Sequence, residues 1–145
     1  MIFIEKYYLY TQEKIIKMKE YKNRIADQIL ADKLEAMGAV LIEGPKYCGK
    51  TTLATQQAKS ILYMADPETK SQNLAMAQTN IKRLLQGETP RLIDEWQLAP
   101  QFWDAVRNEV DKRDEDGQFM LTGSAVRRKK DDFLIFCLES ISTHI

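Results

Sequence analysis

Gly44-Pro45-Lys46-Tyr47-Cys48-Gly49-Lys50-Thr51-Thr52 is the stretch whose reading decides the fold. Its spacing is G-x-x-x-x-G-K-[ST], a loop that cradles phosphate with backbone N–H groups. The residues on either side agree with it. Ala39-Val40-Leu41-Ile42 is a short apolar run, as expected of a parallel strand buried on both faces. From Lys50 the chain turns helix-permissive through Thr51, Thr52, Leu53, Ala54, Thr55, Gln56, Gln57, Ala58 and Lys59. Strand, Gly-rich turn and helix is the order such a loop requires.

The residue types follow from the chemistry. The β- and γ-phosphates of a nucleotide carry dense negative charge, and backbone N–H groups must wrap them closely. Gly44 and Gly49 permit the approaches that a Cβ would block. Lys50 would set its ammonium against those phosphates, and the Thr51 hydroxyl would complete a Mg²⁺ shell. All nine residues, Gly44 to Thr52, are candidate nucleotide contacts, and the helix after them turns its positive end toward the same charge. The competing reading is a Gly-containing loop with an incidental Lys-Thr.

The whole-chain numbers narrow the class. The length of 145 residues suits one domain, and 44% apolar and aromatic content can build a core. Lys and Arg number 21 and so do Asp and Glu, so global charge gives no reason to expect a nucleic-acid or anionic-membrane partner. No apolar run approaches a membrane span, and the aromatic, charged start from Met1 to Tyr10 lacks the order of a signal peptide. The 2 cysteines, Cys48 and Cys137, make no disulfide framework, which fits a reducing cytoplasm best. His144, the 1 histidine, lies too near the end to anchor a histidine triad or metal cluster. Cys48 beside Lys50 is in a setting that favours thiolate, so a redox switch stands beside the simpler reading of a small loop residue. Arg127-Arg128-Lys129-Lys130 is most simply solvated surface.

Residues 1–17 read as a dispensable extension, with Met18 as a natural start. Asn23 to Met37 predicts a helix stopped by Gly38. Ile61-Leu62-Tyr63-Met64 reads as a strand, Ser71 to Gln86 as one helix with Leu74, Ala77, Ile81, Leu84 and Leu85 on a face. Thr89-Pro90 punctuates, and Arg91-Leu92-Ile93-Asp94-Glu95 makes a short strand closing on two acids. Pro100 to Arg113 predicts a helix with Phe102, Trp103, Val106 and Val110 as its buried stripe. Phe119-Met120-Leu121 is a fourth strand, ending at Thr122-Gly123-Ser124. Strands alternating with helices predict an α/β fold with a mostly parallel sheet covered on both faces. Ligands of such sheets sit beyond the carboxyl ends of the strands. The phosphate loop, Asp94-Glu95 and Thr122 to Ser124 all follow strands, so one crevice should gather them.

Leu92-Ile93-Asp94-Glu95 has the form of a Walker B segment. Asp94 is the candidate Mg²⁺-side carboxylate, and Glu95 the candidate base for a water attacking the γ-phosphate. As both follow one strand, their side chains are expected on different sides of it. The alternative for Glu95 is an exposed strand-end acid. Thr122 and Ser124 are candidate sensors of the γ-phosphate or the attacking water; the alternative is a turn whose hydroxyls satisfy backbone groups.

With those motifs in order, Tyr21 to Asp27, Leu34 to Lys46, Arg91 to Pro100 and Phe119 to Ala125 resemble the prokaryotic AAA-type ATPases, in particular the group with a C-terminal nuclease-like domain of unknown function. The resemblance covers residues 18–125 and implies a three-layer P-loop NTPase fold. By it, Gly44, Gly49, Lys50 and Thr51 bind phosphate and Mg²⁺, Asp94 and Glu95 serve metal and hydrolysis, and Thr122 or Ser124 is the sensor. ATP over GTP, and a homo-oligomeric assembly, are expectations of the resemblance alone. After Ala125 the sequence departs from the pattern, and 126–145 reads as a divergent tail of a C-terminally incomplete ATPase core. Phe133 to Leu138 could still add a strand by accident, and no arginine finger or second sensor can be assigned. The function expected is Mg²⁺-dependent ATP hydrolysis. A nucleotide-binding module without turnover is the runner-up, and a small-molecule kinase the third reading.

Overall fold

In a computed structural model, residues 25–44 and 49–124 are described in full and 134–138 as backbone. The extension at 1–17, Met18, the loop residues Pro45, Lys46, Tyr47 and Cys48, the basic run at 127–130 and His144 lie outside the described residues. In chain order the elements are α1 (Ile25–Ala36), β1 (Ala39–Gly44), α2 (Lys50–Gln57), β2 (Ser60–Tyr63), α3 (Lys70–Thr79) and α4 (Ile81–Leu84). They continue with β3 (Arg91–Asp94), a 3-10 turn (Trp96–Leu98), α5 (Phe102–Arg113), β4 (Phe119–Ser124) and β5 (Leu134–Leu138).

The strands form one sheet in the order β2-β3-β4-β1-β5. β1 to β4 are parallel, and β5 joins the outer side of β1 antiparallel, with Ala39 opposite Leu138 and Glu43 opposite Leu134. A strand over most of 133–138 therefore exists, at an edge.

Period-two alternation divides the strand side chains between two cores. Ala39, Leu41, Ile93, Phe119 and Leu121 face one way and pack with Ala77, Leu84, Leu85, Phe102, Val106 and Val110 of the α3–α5 side. Val40, Ile42, Leu92 and Met120 face the other way, onto Leu30 and Leu34 of α1 and Leu53 and Ala54 of α2. Helices cover both faces, and the three-layer α/β architecture expected from the sequence is present. Each fully buried Leu, Ile or Phe of these layers is worth about 1.5–3 kcal/mol by its removal from water.

Four local readings change. The helix expected over 71–86 is two helices, because Asn80 takes φ −153 and ψ 71 and breaks the ladder. Its apolar face survives the break, since Ala77, Leu84 and Leu85 are buried in one cluster with Leu74 and Ile81 packed against it. Pro100 stands before α5 rather than in its first turn, and the helix opens at Phe102. Strand β4 runs through Thr122, Gly123 and Ser124, because β1 extends far enough to pair with all three. Strand β3 ends at Asp94, and Glu95 adopts a left-handed conformation, φ 56 and ψ 46, that turns the chain into the 3-10 segment.

Candidate functional site

The parity that sorts the core also sorts the carboxyl ends of the strands. Two residues beyond Leu92 is Asp94, and two and four beyond Met120 are Thr122 and Ser124. All three therefore share the face covered by α2, the helix that begins at Lys50. The β3–β4 register sets Thr122 directly beside Asp94, and the β1–β4 register sets Ser124 beside Gly44, the first residue of the phosphate-loop motif.

Gly49 enters α2 at φ 92 and ψ 19. A residue with a Cβ would lose about 1–2 kcal/mol there, so the glycine is a requirement of the turn and Lys50 takes the first helical position. Lys50 is only 6% exposed, and its Nζ donates to the Gly44 carbonyl at 2.9 Å. The ammonium thus lies across the start of the loop. One residue on, Thr51 Oγ1 donates to Asp94 Oδ1 at 2.7 Å, and Thr122 Oγ1 donates to the same oxygen at 2.6 Å. Asp94 is 9% exposed, and its carboxylate joins α2, β3 and β4 at one point. Thr52 is exposed on α2 and points to no member of this set through a side-chain bond among the described residues.

Ser124 contributes differently. Its hydroxyl is buried and has no hydrogen-bond partner among the described residues. A buried hydroxyl without a partner costs about 1–3 kcal/mol, and the register with β1 sets this one beside Gly44.

Glu95 stands just outside the strand that ends at Asp94. Its left-handed backbone conformation, and not strand alternation, directs it, which corrects the reason expected from the sequence. Gln97 Nε2 donates to Glu95 Oε2. Gln97 itself rests on β4 at Gly123, where a Cβ would stand 2.8 Å from Gln97 Oε1 and 2.9 Å from Trp96 Nε1. Trp96 is braced from the other side by Trp103 of α5, ring centroids 5.5 Å apart. The sequence reading gives no role to Trp96, Gln97 or Gly123. The available signal was a glycine inside an otherwise filled strand, which marks the close approach of another group.

The structure thus brings Thr51 and Thr122 onto one oxygen of Asp94, bonds Lys50 to Gly44, seats Ser124 beside Gly44, and ties Glu95 to Gln97. Among the described residues no group of three or more His, Cys, Asp or Glu side chains could cage a metal ion. No helix among them is long and apolar enough to cross a membrane.

Comparison with the curated proteins and with the solved structures gives no significant match. The family model described as AAA domain matches residues 37–133, about two thirds of the chain and the span that carries all of this geometry. The chain belongs to the AAA-domain family, a family of nucleotide-binding, ATPase-type P-loop domains.

Proposed function

We propose that this domain binds ATP with Mg²⁺ at the carboxyl ends of β1, β3 and β4 and hydrolyses it. The observation that carries the reading is the convergence of Thr51 and Thr122 on one Asp94 oxygen, with the buried ammonium of the neighbouring Lys50 on the Gly44 carbonyl. In this reading Gly44 to Thr52, including Pro45, Lys46, Tyr47 and Cys48, wrap the phosphates. Lys50 exchanges its bond to the Gly44 carbonyl for phosphate oxygens, a charge-assisted replacement that favours the ligand.

The donor set suits Mg²⁺. One hydroxyl and one carboxylate, Thr51 and Asp94, are what an ion that retains waters and phosphate oxygens asks of a protein. When bound, that ion would neutralise charge on the phosphates. The Ser124 hydroxyl beside Gly44, without a partner among the described residues, supports a polar ligand at the same place. Thr122 and Ser124 are the sensor candidates, Thr122 through Asp94 and Ser124 through its own hydroxyl.

Glu95 is the proposed base. Water attacks the γ-phosphorus, forming a new P–O bond while the bond to the β-phosphate oxygen breaks. Glu95 takes the proton of the water, and ADP and inorganic phosphate leave.

The test is Lys50→Ala on the full chain. Mg-ATP affinity should fall roughly ten- to a hundredfold, the equivalent of a charge-assisted bond of about 1.5–3 kcal/mol. Equal affinities in calorimetry would remove the phosphate-loop assignment. Phosphate release by the parent above the Lys50→Ala level supports hydrolysis. Binding without such release identifies a non-hydrolysing nucleotide module, and a phosphorylated acceptor a kinase.

A further inference from the structure

Among the described residues, one polar side chain touches the proposed base without itself belonging to the motifs that suggested it. Gln97 lies two residues beyond Glu95, in the 3-10 turn Trp96–Leu98, and its Nε2 donates to Glu95 Oε2. The other end of the same amide, Oε1, is buried and has no hydrogen-bond partner among the described residues. Burying an amide oxygen without a partner is unfavourable. The amide stays because its position is imposed from three sides.

Gly123 of β4 provides the seat, since a Cβ there would come within 2.8 Å of Gln97 Oε1. Trp96 occupies the neighbouring part of that seat, its Nε1 2.9 Å from the same point. Trp103 of α5 packs against Trp96 with an interplanar angle of 36°. The chain direction at this point is set by the left-handed Glu95, and backbone N–H groups of Leu98 and Ala99 close the turn onto the carbonyls of Glu95 and Trp96. Gln97 Oε1 and the Trp96 indole thus share the space that Gly123 leaves open.

We infer that Gln97 is a positioning residue for Glu95, fixing its carboxylate relative to β4 and to the sheet end where Asp94, Thr122 and Ser124 stand. A general base acts only from a defined place, and its supporting partner determines that place. The inference rests on the hydrolytic reading and extends it to a residue that touches neither phosphate nor metal in that reading.

Gln97→Met keeps length and apolar bulk and removes the donor. On the full chain, Mg-ATP affinity should be unchanged while turnover falls about tenfold or more, the usual effect of losing such a partner. In a Glu95→Gln background the same change should cost nothing further, since the two residues act as a unit. An amide resonance offers a readout free of turnover. In a ¹⁵N spectrum the Gln97 side-chain amide should move when Glu95 becomes Ala.

Higher turnover in Gln97→Met, equal turnover, or affinity and turnover falling together would each overturn the positioning role while leaving hydrolysis standing. An unmoved Gln97 amide in Glu95→Ala would overturn it as well. A parent chain with no phosphate release above Lys50→Ala overturns the hydrolytic reading itself, and the positioning role with it.

Discussion

The amino and carboxyl ends of the same sheet treat their polar groups in opposite ways. At the amino ends, Arg91 Nε donates to the Leu84 carbonyl at 2.9 Å and its Nη1 to Ser60 Oγ at 3.0 Å, while Ser60 Oγ donates to the Glu88 carbonyl at 2.6 Å. Arg113 bonds Glu109 and Gln118, and Gln118 bonds Glu115. These groups satisfy one another. At the carboxyl ends, Lys50 reaches back to its own loop, two hydroxyls crowd one Asp94 oxygen, and the Ser124 hydroxyl and Gln97 Oε1 have no partner among the described residues.

A cleft of about 850 Å³ lined by Lys59, Gln86, Glu88, Arg113, Glu115 and Gln118 opens at the amino side. Arg113 and Gln118 there are already engaged, so a ligand for those two would have to break existing bonds. At the carboxyl end, a polar ligand would meet groups left without a partner among the described residues. The unsatisfied end is the better candidate site because orphaned buried polar groups carry a cost that a ligand can remove.

The largest effect expected from this contrast is on turnover at the carboxyl end. Glu95→Gln preserves size and the bond-accepting oxygen but removes the base, so ATP affinity should survive while hydrolysis falls by ~10²–10⁴. A variant as active as the parent in phosphate release would take the catalytic role from Glu95.

Next in size is Asp94→Asn. Its Oδ1 can still accept the Thr51 and Thr122 hydroxyls, so the fold should hold. Mg²⁺-dependent ATP binding should weaken roughly tenfold or more, as loss of an interaction of about 1.5–3 kcal/mol would require. Titrations with and without Mg²⁺ check this, and an unchanged Mg²⁺ dependence would detach Asp94 from the metal.

The smallest effect lies at the other end and is of another kind. Burial pushes the Arg91 guanidinium below its ordinary pKa, because the charged form loses water there. Arg91→Met leaves the Leu84 carbonyl without this donor and should cost ~1–3 kcal/mol of stability, seen as a lower melting temperature. Nucleotide affinity should not change. A weaker affinity at equal stability would show that the two ends are coupled and would break the contrast drawn between them.

How far each end could be read beforehand differs for a physical reason. The turn into α2 is local: Gly49 is required by a single backbone conformation, and Lys50 and Thr51 follow it directly in the chain. Hence the strand ending at Gly44, the helix opening at Lys50 and the glycine at its entry were legible without coordinates. The apolar stripe of α3 and α4 was legible too, because periodicity survives a break such as Asn80, whereas the break itself depends on one pair of dihedral angles.

Sequence by itself determined the alternation of strands and helices, the two-faced burial of the strands and the acids and hydroxyls that end them, since each follows from residue type and spacing along the chain. Tertiary structure alone decided that Thr51 and Thr122 meet on one oxygen of Asp94, through register between β3 and β4 and the placement of α2. It also decided that Glu95 leaves the strand in a left-handed turn and is tied to Gln97, which β4 admits at Gly123. Those outcomes depend on groups far apart in sequence, from Thr51 to Asp94 or Gln97 to Gly123, whose distances arise only when the layers pack.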